Sequence, residues 1–314
     1  MMLEHELGRH RLFNGLQTLL ILGGLTLTLS LPGYLLAGPG GVLMSLSAVI
    51  VAALLTSWVP ARMILARAGA ERLPASRAPE LHALLARFYA GAGLTIEPRL
   101  YYAPSPDLNA FAVGGPHDGG IAVTDGLLRS LTLRELGGVL AHEVSHLRRG
   151  DTRVMSIAAA MTRMTLWLTT AVQLAILISL PMMLTDAGGL PWLSLLAIAV
   201  APTLSVLLSL ALSRNREYTA DLEAVALTGD PAGLASALVV LERRRSGWLM
   251  SLFGRRPAME ATWLRTHPST EARIRRLSEL DGGPDSPHLD ETDTPTPTPR
   301  RPAPHPRAVR HRWH

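Results

Sequence analysis

The chain contains no cysteine and no lysine. Without cysteine there are no disulfides, and any zinc site must be built from imidazole and carboxylate rather than thiolate. All 30 basic side chains are therefore arginine, a compositional bias from which no function follows. Aromatic residues make up only 5% and charged residues only 18% of the 314 positions, against 48% hydrophobic residues. That balance, with a mean hydropathy of +0.22, belongs to a membrane protein rather than to a soluble domain with a large core. The formal charge of +5 would suit nucleic acid. The arginines, however, cluster beside apolar segments, which is the pattern of membrane orientation. The lipid bilayer is an expected partner and nucleic acid is not.

Four apolar segments reach the roughly 20 residues that a helical span needs. They run from about Leu12 to Leu36, Val42 to Val59, Met164 to Leu184 and Leu190 to Leu212, the last with Pro202 as a kink. Arg9 and Arg11 precede the first, and Arg62 and Arg67 follow the second. Arg148, Arg149, Arg153 and Arg163 precede the third, and Arg214 and Arg216 follow the fourth. The opposite connections, Ala37–Gly41 and Thr185–Gly189, carry none. The positive-inside rule puts both termini and all long polar segments in the cytoplasm. The first apolar stretch is too long for a signal-peptide core, and a second follows at once, so it is expected to be an uncleaved anchor.

This divides the chain into an N-terminal segment with two spans (1–66), a first soluble part (67–153), a membrane hairpin (154–212), a second soluble part (213–281) and a tail (282–314). The first soluble part predicts a helix over Pro79–Ala92. Short strands follow at Arg99–Tyr102, Ala110–Val113 and Gly120–Thr124, divided by Pro and Gly turns. The second soluble part reads as mostly helical. The tail, rich in Pro, Asp, Thr and Arg, has too few apolar residues to fold.

Within the first soluble part lies His142-Glu143-Val144-Ser145-His146. Four residues turn a helix by about 400°, so the two imidazoles share a face and can take one metal ion. Glu143 projects near the same ion and can act as a base on water bound to it. Thr132-Leu133-Arg134-Glu135 is a capping box that starts this helix at Leu133. Leu136, Val139, Leu140, Val144 and Leu147 form its apolar stripe, and Gly150 stops it. A similar-looking stretch, His5 to His10, spaces its histidines five apart, about 140° round a helix, and cannot share a metal. Arg149-Gly150-Asp151 matches an adhesion tripeptide, but a helix stop on the cytoplasmic side is no place for one.

A zinc hydrolase needs a third protein ligand and an open fourth position. Glu217 and Asp221 stand four apart in Ser213-Arg214-Asn215-Arg216-Glu217-Tyr218-Thr219-Ala220-Asp221 and share a helix face. One carboxylate can bind the metal while the other accepts a hydrogen bond from a ligand imidazole. Taken alone, the two acids could equally be solvated and paired with Arg214 and Arg216. Two spans separate them from His146, yet a hairpin returns to the side it left, so the two helices can be neighbours at the membrane surface.

His142–His146, the hydrophobic hairpin and the Ser213–Asp221 stretch together resemble the membrane-bound M48 zinc metalloproteases, and within them the bacterial heat-shock branch. The resemblance covers nearly everything from Leu12 to Leu280. It implies a mainly α membrane protein in which four transmembrane helices carry an α+β, zincin-type protease domain with a small β-sheet. It implies one zinc ion per chain, with Glu217 as third ligand and Asp221 supporting a zinc histidine. Asn109, Ala110 and Phe111 resemble the family's substrate-aligning strand, whose edge can pair with an extended peptide. His267-Pro268 resembles a later segment whose histidine assists the oxyanion. The resemblance further implies an endopeptidase in the bacterial inner membrane, acting on misfolded or damaged membrane proteins as part of quality control. A CaaX-type prenyl-protein protease is the nearest enzymatic alternative, but that branch has more spans. A transporter would place ionisable groups at mid-membrane, and a non-catalytic zinc scaffold would not need Glu143.

Overall fold

An apolar segment in lipid must satisfy its backbone hydrogen bonds internally, and helices do this along their own length. Most of the chain is helical. The computed structural model describes residues 2–58, 61–185, 192–249 and 270–281. The first element, α1 (Met2–Trp58), leaves helical geometry only at Ala37 (φ −141°, ψ 22°) and Gly38 (φ 58°, ψ −144°). There the chain folds back. A Cβ built on Gly41 would fall 1.8 Å from the Gly33 carbonyl oxygen, whereas residues eight apart in a straight helix are separated by about 12 Å. α1 is thus a tight helical hairpin. Pro39 stands in the first turn of its second half, where a missing N–H is tolerated.

Three helices among the described residues are long and apolar enough to cross a membrane: Gly15–Leu55 within α1, Asp151–Pro181 and Trp192–Thr228. They carry the coarser expectation of a mainly helical membrane protein. The first two apolar segments are joined in one element because the turn between them takes only two residues out of the helix. After α2 (Ala61–Arg67) come β1 (Glu71–Arg72), α3 (Pro79–Gly91), β2 (Leu100–Ala103), β3 (Ala110–Val113), β4 (Gly120–Thr124), α4 (Asp125–Ser130) and α5 (Leu133–Arg149). The long helices α6 (Asp151–Thr185) and α7 (Trp192–Thr228) follow, then α8 (Pro231–Leu249) and α9 (Thr270–Asp281). The Pro-rich tail and His267 lie outside the described residues, as do the side chains of His5 and His10.

The four-stranded sheet has the order β1-β2-β4-β3. β2 runs parallel to β4, β3 antiparallel to β4 with Phe111 opposite Ala122, and β1 antiparallel to β2. β3 and β4 have the bounds their sequence predicts, and β2 starts one residue later. β1 is two exposed residues with no alternation to reveal it. The central strand β4 alternates its faces, as the two-residue period requires. Ile121 and Val123 join Leu85 and Phe88 of α3 and Leu140 and Val144 of α5 in the main core. Ala122 packs on the other side with Val113 and with Leu65 of α2. Each large side chain buried this way contributes about 1.5–3 kcal/mol.

α5 is fixed at both ends. The Thr132 N–H donates to Glu135 at 2.8 Å, closing the capping box, and the same carboxylate accepts from Ser236 of α8 at 2.6 Å. Gly150 takes the left-handed conformation (φ 61°, ψ 30°) and its N–H returns to Leu147 at 3.2 Å. α6 begins at once with Asp151. Ile21 and Leu25 of α1 pack against Ala158 and Met161 of α6 and Leu212 of α7, so α1, α6 and α7 form one bundle.

Gly138 marks the close approach of α5 and α8. A Cβ there would lie 2.9 Å from Leu234 Cα, while one on neighbouring Gly137 meets nothing nearer than 3.9 Å. Gly138→Val is expected to cost about 1–3 kcal/mol through overpacking. Gly137→Ala should gain roughly 0.5–1 kcal/mol from helix propensity. Thermal unfolding of both variants in detergent reads the opposite signs.

Candidate metal centre and active site

α5 presents His142 and His146 one turn apart, with ring planes crossed at 87° and their Nε2 atoms 3.1 Å from each other. α7 brings Glu217 alongside. Its Oε2 lies 3.4 Å from His142 Nε2 and its Oε1 3.4 Å from His146 Nε2. Around a four-coordinate ion with bonds of about 2.0–2.2 Å, neighbouring ligand atoms stand roughly 3.3–3.6 Å apart. The three side chains form a triangle in which the Nε2 atoms stand 3.1 Å apart and each lies 3.4 Å from a different Glu217 oxygen, distances close to that spacing. Two imidazole nitrogens and one carboxylate are a donor set that zinc takes while keeping a fourth position open. Among the described residues these three are the His, Asp and Glu side chains grouped closely enough to hold a metal.

Behind each histidine stands an aspartate. Asp221 Oδ1 is 2.9 Å from His142 Nδ1, and Asp151 Oδ2 is 2.8 Å from His146 Nδ1. Both contacts call for a proton on Nδ1 and leave Nε2 as the ligand atom. Each aspartate is held in turn by guanidinium groups. Arg273 of α9 donates Nε and Nη2 to Asp221 at 2.7 and 2.6 Å, and its Nη1 stands 3.1 Å from Glu217 Oε2. Arg149 Nη2 donates to Asp151 at 2.6 Å, and Arg216 Nη1 takes the other oxygen. Arg273 Nη2 also approaches His142 Nδ1 at 3.4 Å. The shorter Asp221 contact decides the tautomer, because a guanidinium offers no acceptor.

Glu143, next to His142 on α5, is buried. Its Oε2 accepts the Ala112 N–H at 2.9 Å, so this carboxylate is tied to strand β3. That strand is the edge of the sheet. The Asn109 carbonyl accepts from Thr124 N–H of β4 at 3.0 Å. Antiparallel alternation then commits Phe111 to β4 and turns the backbone groups of Ala110 and Ala112 toward the open edge. Of the three strand residues expected to meet substrate, Ala110 therefore offers its backbone directly. Asn109 donates its N–H to Thr124 Oγ1 at 3.0 Å, and Phe111 packs beside Leu65.

Burial pushes the Glu143 carboxyl above its ordinary range, against a smaller opposing pull from the two histidines. Burial alone would lower both imidazoles. For His142, hydrogen bonds to Asp221 and Glu217 outweigh it and raise the pKa. For His146, Asp151 and Glu217 outweigh it and push the group up to about 10.

The sequence brought His142, Glu143, His146, Glu217 and Asp221 to attention, and all five meet here. It did not single out Asp151, Arg273, Arg149, Arg216 or Ala112. Asp151 falls in the tripeptide dismissed on other grounds; the left-handed Gly150 folds it back toward His146, which spacing alone does not reveal. Arg216 pairs with Asp151 rather than with Glu217 or Asp221, whose guanidinium partner is Arg273, 52 residues beyond Asp221.

The profile of Peptidase family M48 matches residues 75–281, a stretch that contains every one of these groups. The chain belongs to peptidase family M48. Proteins described as "Protease HtpX homolog" are similar over most of its length. The one from Acaryochloris marina is 36% identical over 283 residues, 85% of this chain and 95% of its own. The one from Pyrococcus abyssi is 34% identical over 260 residues, 79% of this chain and 89% of its own. A solved structure, "Crystal Structure of S. mikatae Ste24p", superposes with a TM-score of 0.45 at 17% identity, over 86% of this chain and 66% of that one. Family membership makes the chain a membrane-bound metallopeptidase, and its three long apolar helices make it an integral membrane protein.

Glu217→Ala removes one corner of the ligand triangle and should lose zinc, measured as metal per chain after gel filtration; full zinc content would exclude Glu217 as a ligand. A second expectation concerns protons. The pKa of His146, raised against burial to about 10 by Asp151 and Glu217, favours a doubly protonated ring at pH 7, and a ligand imidazole must give up its Nε2 proton. Zinc binding should therefore release at least this proton. Apparent affinity should rise by about tenfold per pH unit per proton released until pH reaches the folded-state pKa. Calorimetry in buffers of different ionisation enthalpy counts the protons.

Proposed function

We propose that the chain is a zinc-dependent endopeptidase that cuts proteins at the cytoplasmic face of the bacterial inner membrane, with misfolded or damaged membrane proteins as substrates. The observation that carries the reading is Glu143, buried beside the ligand triangle with one carboxylate oxygen fixed by the Ala112 N–H. His142, His146 and Glu217 would hold the zinc. When bound, the ion supplies Lewis acidity that activates water and stabilises developing negative charge on the substrate carbonyl.

The protein's own groups do the rest. Substrate pairs in extended form with the β3 edge, where the Ala110 backbone groups meet it. That pairing sets the scissile carbonyl between Glu143 and the ligand triangle. Glu143 Oε2 stays on Ala112, so Oε1 takes the proton from the attacking water and later gives it to the leaving amine. The raised Glu143 pKa suits a group that must first accept and then donate near neutral pH. His267 remains the proposed partner for the oxyanion, on the strength of the His-Pro resemblance.

The two halves of α1, with α6 and α7, are read as four passes with both termini cytoplasmic. Supporting this are the break at Ala37–Gly38 and the arginines that flank the same ends of all four segments. Arg149 and Arg216 are engaged with Asp151 and Arg148 with Glu223, so the orientation rests on Arg9, Arg11, Arg62, Arg67, Arg153, Arg163 and Arg214. A site fed from the bilayer surface is consistent with membrane-protein substrates.

Glu143→Gln is the decisive variant. It keeps an acceptor for Ala112 and leaves the ligands untouched. We expect full zinc content with cleavage of an unfolded membrane-protein substrate reduced by at least about 10²–10⁴-fold, the usual contribution of a positioned acid–base group. Parental cleavage rates in this variant would remove Glu143 from the mechanism.

A further inference from the structure

We infer that Asp151 is the positioning residue for His146, locked by arginines from two helices and tied through Arg216 to the membrane hairpin α1. The inference rests on reading His146 as a metal ligand. Asp151 is 2% exposed and lies at the first residue of α6. Its Oδ2 meets His146 Nδ1 at 2.8 Å and accepts from Arg149 at 2.6 Å, and its Oδ1 accepts from Arg216. Arg149 comes from α5 and also donates to the Arg216 carbonyl at 2.8 Å. That ties the end of α5 to α7 one residue before the ligand Glu217. Arg216 reaches on to Thr18 of α1 at 3.3 Å. Three helices, α5, α6 and α7, therefore meet at one carboxylate and α1 is linked to it through Arg216, and that carboxylate faces the back of a metal ligand.

A carboxylate at a helix start could be there for the helix dipole alone. Two features separate Asp151 from that role. Its oxygen is directed at an imidazole nitrogen rather than at the α6 amides, in the same relation that Asp221 bears to His142. Moreover, burying this many charges yields little net stability, because desolvation offsets the attraction. What such a cluster fixes is geometry: the tautomer and the ring orientation of His146. The left-handed turn at Gly150 is the device that allows it, bringing residue 151 back over the last turn of α5.

The test uses full-length protein in detergent and reads metal affinity and tautomer as well as activity. Asp151→Asn preserves shape while removing the charge. It is expected to weaken zinc binding by about 10- to 100-fold, the usual effect of losing a group behind a metal ligand, in competition against a chromophoric chelator. The cobalt-substituted variant should show an altered visible spectrum. Arg216→Gln should weaken zinc in the same direction, and the double variant should be no weaker than Asp151→Asn alone. Zinc affinity of Asp151→Asn within twofold of the parent would overturn the inference. Should that variant fail to fold, nitrogen-15 histidine spectra of the zinc-loaded parent decide: a proton on His146 Nδ1 supports the inference, and a proton on Nε2 overturns it. Failure of the metal reading itself is distinguishable, since the parent would then bind no zinc.

Discussion

The interaction on which the structure depends is the hydrogen bond from each imidazole of the candidate metal site to a buried aspartate. An imidazole can offer a metal either nitrogen, and the bond at Nδ1 selects Nε2. Both aspartates are charged groups removed from water, which would be costly if unpaired. Each is therefore held by arginine: Asp221 by Arg273, and Asp151 by Arg149 and Arg216. Those arginines come from α5, α7 and α9. Two of these helices, α5 and α7, also carry the candidate ligands, while α9 carries none and is recruited to the site by its arginine, so the site is assembled from distant parts of the chain.

The same logic explains why membrane segments and active site are one structure. α6 begins with Asp151 and α7 runs through Glu217 and Asp221 without leaving the helix. Polar groups that would be unwelcome in lipid occur at the ends of these helices, where they serve the site. Some of the arginines that a topology rule counts as orientation signals are consequently also structural partners of aspartates.

Much of this was legible in the sequence where chemistry is local. The capping box at Thr132, the stop at Gly150, strands β3 and β4 and the His142–His146 spacing all rest on contacts between residues a few positions apart. Glu217 and Asp221 were legible as a pair because four residues make a helix face, and the family resemblance distinguished ligand from support. Asp151 and Arg273 were not. The first depends on one backbone angle at Gly150, and the second on how α9 docks, and neither leaves a periodic signal. The break in α1 falls within the connection Ala37–Gly41 that the sequence places between its first two apolar segments; only its shortness was hidden, since Pro39 fits the start of a helix as well as it fits a loop.

α7 is continuous for 37 residues, from the apolar stretch through both site carboxylates. A continuous helix transmits both rotation and translation. Removing or adding one residue between Pro202 and Glu217 would turn the carboxylates about 100° and move them about 1.5 Å along the axis relative to the membrane-embedded half. No side-chain adjustment spans that error. In this segment the length of the chain is as constrained as the identity of its ligands, so insertions and deletions should be far less tolerable here than in the loops of the sheet domain.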